Sequence, residues 1–512
     1  MIRIHGDAVS AIDKVDSLYL SLVEASTRLR GKDVSLWGKA SETEARTRLA
    51  WVDFPTESRK LLPVLDSLWS QFNSYDRIIL SAMGGSSLAP QVIAASNNKS
   101  LIVLDSTDPN VVRRALGGDL LSTLVIVSSK SGTTIEVLSH LAIFEQALLS
   151  AGATPKDHIV IITDAHSPLD EYAKRKSIKT IHAEPNVGGR YSALSAYGLA
   201  PSALLGLDIS VLLDQAQEAE KIFEGLHSPA VAVAYLLAKQ SGHFISITDA
   251  GSVMPGLSDW IEQLLAESTG KGGKGILPIV VENLSSPVSG STLSIAFEGN
   301  ANLVVEGDLG SQFIFWEWVT ALLCYAINVD PFNEPHVALS KTKTTSLLSQ
   351  WAGSSPSVPS NYVDGDVEVF GSNQNVVTTL SELLSTVAVD DYLYIMAYLD
   401  SEMDLQIGEL RNVLAQRCSS PVAFGWGPRF LHSTGQFHKG GPDKGAFLQI
   451  TADPEEDIEI PGQAFTLQTL MMAQALGDAE ILLGSNRKVI RLHLKNREKG
   501  ISQILSAARS IS

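Results

Sequence analysis

Residues 128–134 read Ser128, Ser129, Lys130, Ser131, Gly132, Thr133, Thr134, and six of these seven side chains can donate a hydrogen bond to an oxyanion. An apolar, β-branched run at 124–127 precedes them, and Val137, Leu138, Leu141, Phe144 and Leu148 follow at helical spacing. That pattern is strand, polar loop, helix. A helix that starts in such a loop leaves its first N–H groups unpaired and carries partial positive charge at that end, so an anion fits there. The bland alternative is that Ser131 and Thr133 cap the helix, but a cap needs only one or two hydroxyls. The stretch does not match the Walker loop, which wants two glycines bracketing the loop and the lysine just before the Ser/Thr.

Three other stretches carry comparable chemistry. After an apolar run at 77–81 come Gly84, Gly85, Ser86 and Ser87, where paired glycines let backbone approach a ligand and the serines stand at the start of the next helix. Gly188 and Gly189 precede Arg190, Tyr191 and Ser192, an arrangement that brings one guanidinium close to a ligand; a lone arginine would more often pair structurally with a carboxylate. Gln263 and Glu267 are four apart on one helix face, and Gly270 ends that helix. A glutamate there faces the negative end of the helix dipole, so local stability does not explain it, although a solvated surface charge would be the ordinary reading.

Glycine-glycine-serine after one strand and Ser-Lys-Ser-x-Thr-Thr after a later one resemble the sugar-isomerase (SIS) domain, which holds a phosphosugar's phosphate between such loops. The Gly-Gly-Arg-aromatic-Ser stretch and the segment from Gln263 to Lys271 are similar to signatures of the glucose-6-phosphate isomerase family. The resemblance implies an aldose-ketose isomerase with Glu267 as proton-transfer base and Arg190 as its electrophilic partner. Gly85, Ser86, Ser129, Lys130, Ser131, Thr134 and Gln263 would then bind the phosphosugar, with no cofactor and no metal. Phe332, Val337 and Lys341 fit a further family signature and carry over a catalytic Lys341, while Asn333 and Glu334 replace the family's Asp and Gln. Two other readings are another SIS phosphosugar isomerase, acting on a mannose or amino-sugar phosphate, and a sugar-phosphate-binding regulator without catalysis.

Opening the sugar ring needs a proton-moving group, and histidine titrates in the right range. The family's histidine follows a Gly-x-x-Gly-Gln segment whose counterpart here, residues 307–313, has none. His438, in a glycine-flanked stretch beside Lys439, is favoured over His336 for that role. The stretch 427–442 and Gln474 to Asp478 resemble the isomerase half of bifunctional transaldolase/glucose-6-phosphate isomerase proteins; the chain starts where that half starts, so no transaldolase activity is expected.

The elements that must position these residues read as α/β. Apolar strand candidates at 78–80, 101–104, 124–127, 158–162 and 180–182 alternate with helical patterns, as do 243–248, 276–281, 293–296 and 303–305. Continuous apolar strands separated by crossovers mean parallel sheets buried on both faces, with ligands at the strands' carboxyl ends. Two SIS-type doubly wound domains with surrounding helices are therefore expected. A helical segment (1–75) should pack on the first domain (76–215), a second domain core should span 216–350, and an extension (351–512) should complete the second domain, with a linker at 354–360. With 512 residues, 45% hydrophobic and 19% charged, the chain has ample core. The net charge of −17 opposes nucleic acid or an anionic membrane as partner. Two cysteines, Cys324 and Cys418, exclude a disulfide framework and suggest a reducing cytoplasm. The N-terminus shows no secretory segment, no run approaches a membrane span, and the family implies a homodimer.

Overall fold

The computed structural model describes residues 1–290, 292–351, 353 and 358–511. Three sheets organise the described residues. The first contains Arg77–Ser81, Ile102–Leu104, Thr123–Ser128, Ile159–Asp164 and Lys179–Ala183, all parallel, in the order second-first-third-fourth-fifth. Apolar side chains on both pleat faces explain the burial. Ile78, Leu80, Leu124 and Ile126 pack in one core with Leu88, Val92 and Ile93 of the helix Gly85–Ser96. Ile79, Val125 and Val127 pack in another with Val137, Leu141 and Phe144 of the helix Ile135–Ser150. The helices after the first and third strands thus leave to opposite faces. The gap between these neighbouring strands is the topological switch point, where such sheets bind ligands.

The second sheet repeats the parallel order with Phe244–Thr248, Leu277–Val280, Leu293–Ala296 and Leu303–Glu306, and Arg3–His5 adds antiparallel to its outer edge. The helix Leu309–Ile327 is apolar nearly all round, as its sequence predicts, and buries Phe313, Phe315, Trp316 and Trp318 completely. Each such side chain contributes about 1.5–3 kcal/mol on leaving water. Residues 1–75 were expected to pack on the first sheet. Leu62–Phe72 does pack on Ala196–Leu204 beneath that sheet, whereas Ser17–Arg30 packs on Pro229–Lys239 and Leu309–Ile327.

The stretch 351–512 builds more than an addition to the second sheet. Leu393–Tyr398, Val422–Trp426, Ala446–Ala452 and Lys488–Leu494 form a third parallel set in the same second-first-third-fourth order, extended at one edge by the antiparallel strands Val367–Phe370 and Tyr362–Asp364. One face has its own apolar core. The other joins Tyr392, Tyr394 and Met396 to Leu277 and Ile279 of the second sheet. Residues 354–357 of the expected linker lie outside the described residues.

Candidate active site

Gly85, Ser86, Ser129, Lys130, Ser131, Thr134, Arg190, Gln263, Glu267 and Lys341 line one cavity of about 350 Å³, together with Arg48, Glu334 and His432. The first sheet supplies its floor at the switch point. Gly84 has φ 56°, and a Cβ on it would stand 2.9 Å from Gln263 Nε2 and 3.1 Å from the His432 carbonyl oxygen. A Cβ on Gly85 would lie 2.1 Å from the Gly189 carbonyl oxygen, so this loop can seat against the Arg190 turn only as glycine. Both helices that start here, Gly85–Ser96 and Ile135–Ser150, lack a side-chain cap. The hydroxyls pair among themselves instead: Ser129 Oγ with Thr134 Oγ1 at 2.9 Å and Ser131 Oγ with Thr133 Oγ1 at 2.9 Å. Simple capping does not account for the loop's composition. Lys130 Nζ donates to Asp164 Oδ2 at 2.6 Å and to the Pro185 carbonyl at 2.9 Å. Burial lowers its pKa, with Asp164 opposing.

The helix after the first strand of the second sheet brings Gln263 and Glu267 to face Arg190, which stands on the turn after the last strand of the first sheet. The helix Leu257–Thr269 buries Gln263 and Glu267 on one face, and Gln263 Nε2 donates to Glu267 Oε2 at 3.0 Å. Arg190 Nη1 donates to Glu267 Oε1 at 2.9 Å and to Glu334 Oε2 at 3.0 Å. Nε donates to Ser268 Oγ, and Nη2 to the carbonyls of Pro331 and Asn333. All five guanidinium donors are thereby occupied. Burial favours loss of the guanidinium's proton, but Glu267 and Glu334 outweigh it and hold Arg190 more firmly charged than usual. Burial raises the Glu267 carboxyl above its ordinary pKa; Arg190 opposes the rise and Glu334 adds to it. Glu334, whose side chain is 46% exposed, is raised by burial but pulled below its ordinary value by Arg190. Nearby, burial and then Arg190 bring the Lys271 ammonium down to about 7. A carboxylate poised above the usual range beside a fixed cation can take a proton from carbon while the cation steadies the resulting oxyanion.

The histidine expectation is corrected by the geometry. His438 is 1% exposed on the short helix Gly435–Gly440, and it does not line the cavity. Its ring packs on Tyr392 and Tyr394, and its Nδ1 pairs with the Tyr392 hydroxyl at 2.8 Å. Burial depresses its pKa well below the usual histidine value, so it is held neutral. His336 pairs with Gln436 and also lies off the cavity. His432, six residues before His438, is the histidine on the wall. Its Nε2 meets Glu136 Oε1 at 2.8 Å, and its Nδ1 has no protein hydrogen-bond partner among the described residues. Glu136 also accepts from Gln474 Nε2 at 2.7 Å. Burial would raise this carboxyl, yet His432 outweighs it and brings the pKa to about 2. His432 stands on the connection leaving the carboxyl end of Val422–Trp426, a position that could have singled it out. No sequence signal marked Glu136, which reads as an ordinary first-turn helix acid.

Residues 68–272 match the phosphoglucose isomerase family model. Over 212 residues the chain is 36% identical to a probable glucose-6-phosphate isomerase of Haloarcula marismortui, covering 40% of this chain and 49% of that protein. Over 245 residues it is 33% identical to the glucose-6-phosphate isomerase of Thermus thermophilus, covering 45% of this chain and 58% of that one. The chain thus spans about half the length of the curated relatives it matches. The crystal structure of a glucose-6-phosphate isomerase from Chlamydia trachomatis superposes with a TM-score of 0.54 at 16% identity, over 68% of this chain and 88% of that one, a likeness of fold. The stretch similar to the phosphoglucose isomerase family contains both glycine-serine loops, Arg190 and Glu267, whereas Glu334, Lys341 and His432 lie beyond it.

Proposed function

We propose that this chain interconverts glucose 6-phosphate and fructose 6-phosphate through an enediolate. The observation that carries the reading is the contact of Glu267 with Arg190 at 2.9 Å, across one cavity from a hydroxyl-and-lysine loop. The phosphate is taken by Ser86, Ser129, Ser131 and Thr134 at the positive ends of the two helices. Fixing it sets the open chain's C1 and C2 over Glu267. Glu267 removes the proton from C2 of the aldose and returns it to C1, while a proton passes between O1 and O2; the reverse steps regenerate the aldose. Arg190 stabilises the enediolate oxygen, and Lys341 adds positive charge on the same wall. His432, oriented by Glu136, moves the proton between the anomeric hydroxyl and the ring oxygen when the cyclic sugar opens. No cofactor is required.

His432 falls in the stretch 427–442, and it is the resemblance of that stretch to the isomerase half of bifunctional transaldolase/isomerase proteins that supports reading the chain as an isomerase unit of that kind. The test is Glu267→Gln assayed with fructose 6-phosphate. A positioned acid-base group contributes about 10²- to 10⁴-fold, so kcat should fall at least that far with an unchanged melting temperature. Near-normal turnover in a folded variant removes the assignment, and turnover of only a mannose or amino-sugar phosphate redirects it.

A further inference from the structure

A second cavity, of about 450 Å³, opens at the carboxyl ends of Phe244–Thr248 and Leu277–Val280 in the second sheet and of Val422–Trp426 in the third. It shares no lining residue with the first. Carboxyl ends of parallel strands are where such sheets hold ligands. Asp259 and Glu262 are three apart on the helix Leu257–Thr269 and both line this space. Glu262 is only 9% exposed, and neither carboxyl receives a hydrogen bond from another described residue. The cavity's two arginines are already engaged. Arg411 grips Glu282 with two bonds, at 2.9 and 2.5 Å, and Arg429 Nε donates to Asp105 Oδ2 at 2.5 Å. Across the space stand the half-buried rings of Phe424 and Trp426, edge to face at 4.9 Å.

A carboxyl as buried as that of Glu262 without a hydrogen-bond partner carries an uncompensated cost, while Asp259 beside it is exposed at the cavity's rim. Burial raises Glu262 well above the carboxylate range, with Asp259 adding to the effect and Arg429 opposing it. A protonated amine placed here would stand in for that proton. Phosphate is disfavoured, because the acids are unmet and the arginines are not. No set of three metal ligands gathers in this cavity: among the described residues the group of three acids or histidines close enough to share one ion is His166, Asp170 and Glu171, elsewhere in the molecule. The room, the two neighbouring acids and the aromatic faces suit an elongated organic cation, whose ammonium groups also interact with ring faces.

We propose that this second cavity binds an aliphatic di- or polyamine, with ammonium groups on Asp259 and Glu262 and the methylene chain along Trp426 and Phe424. The experiment is isothermal titration of the full chain with putrescine and with spermidine, and with glucose and magnesium chloride as controls, all without substrate. It is therefore read independently of the isomerase assignment. Saturable 1:1 binding of at least one amine is expected, weakened about tenfold or more in Asp259→Asn/Glu262→Gln. Turnover of fructose 6-phosphate by that variant should be unchanged. Trp426→Ala should weaken the amine independently, and it replaces the double variant as the test if the latter misfolds. Absence of saturable amine binding, equal affinity in the variants, or binding of glucose or magnesium in place of either amine would overturn the proposal.

Discussion

Glu334 stands where the isomerase signature has glutamine, and Glu334→Gln gives the sharpest test of the electrostatics around the base. The carboxylates of Glu267 and Glu334 lie 2.9 and 3.0 Å from the same Arg190 nitrogen, so these two oxygens are at most about 5.9 Å apart. Unit charges at that separation repel by about 2.8 kcal/mol at an effective dielectric of about 20 and about 0.7 kcal/mol at about 80. Because Glu334 is 46% exposed, solvent screening draws the value toward the lower end. That repulsion disfavours the ionised form of Glu267 and so lifts its pKa, on top of the larger effect of burial. Glutamine keeps an oxygen for Arg190 to donate to but removes the charge, so Glu267 should ionise at lower pH. The base works deprotonated, and kcat/KM reports the free enzyme. The acidic limb of its pH profile should therefore move to lower pH. Steady-state assays with fructose 6-phosphate from about pH 5 to about pH 9 would measure it. A limb that stays in place or moves up refutes the argument, because it would mean that Glu334 does not act on Glu267 through its charge.

Lys130→Ala with Ser131→Ala should weaken binding of 6-phosphogluconate at least about tenfold and barely change the melting temperature; a drop in stability with unchanged affinity would return the loop to a structural role. His432→Gln should impair turnover of cyclic glucose 6-phosphate more than of the open-chain form, while His438→Phe should spare that ratio and act on stability alone. Gly85→Ala must displace the Gly189 backbone, since its Cβ would lie 2.1 Å from the carbonyl oxygen; a loss of about 1–3 kcal/mol in chemical denaturation, with reduced kcat through a misplaced Arg190, is expected.

The residues that the fold gathers around the first cavity were legible because each belongs to a short local pattern. Hydroxyls after an apolar strand, glycines before an arginine and two polar side chains four apart on a helix keep their meaning wherever the element packs. His432 was not legible. It and His438 share one glycine-flanked, aperiodic stretch, and only the packing of Tyr392 and Tyr394 decides which imidazole is sealed away. Glu334 read as a departure from the signature, and its contact with Arg190 depends on how the 331–334 loop lies over a turn some 140 residues earlier. The third sheet was legible only in pieces. Apolar runs at 392–397 and 422–424 read as strands, and Leu448, Ile450 and Ala452, like Ile490, Leu492 and Leu494, alternate with polar residues, but which strands pair is not encoded in any one segment.

The antiparallel strand Arg3–His5 also matters for how the molecule stays apart from its own copies. It pairs with Leu303–Glu306 in the register Arg3 to Glu306, Ile4 to Val305 and His5 to Val304, and Ala8 N–H then donates to the Asn302 carbonyl. Val304 and Val305 are 1% and 0% exposed behind it. Without that strand, an apolar β-branched edge would present a row of free N–H and C=O groups, a template for pairing with another chain. The guard for that edge comes from about 300 residues upstream, and it can close only once residues 303–306 exist. A partly unfolded chain in which the first six residues have come loose presents this edge bare, which makes their ordering a determinant of solubility as much as of shape.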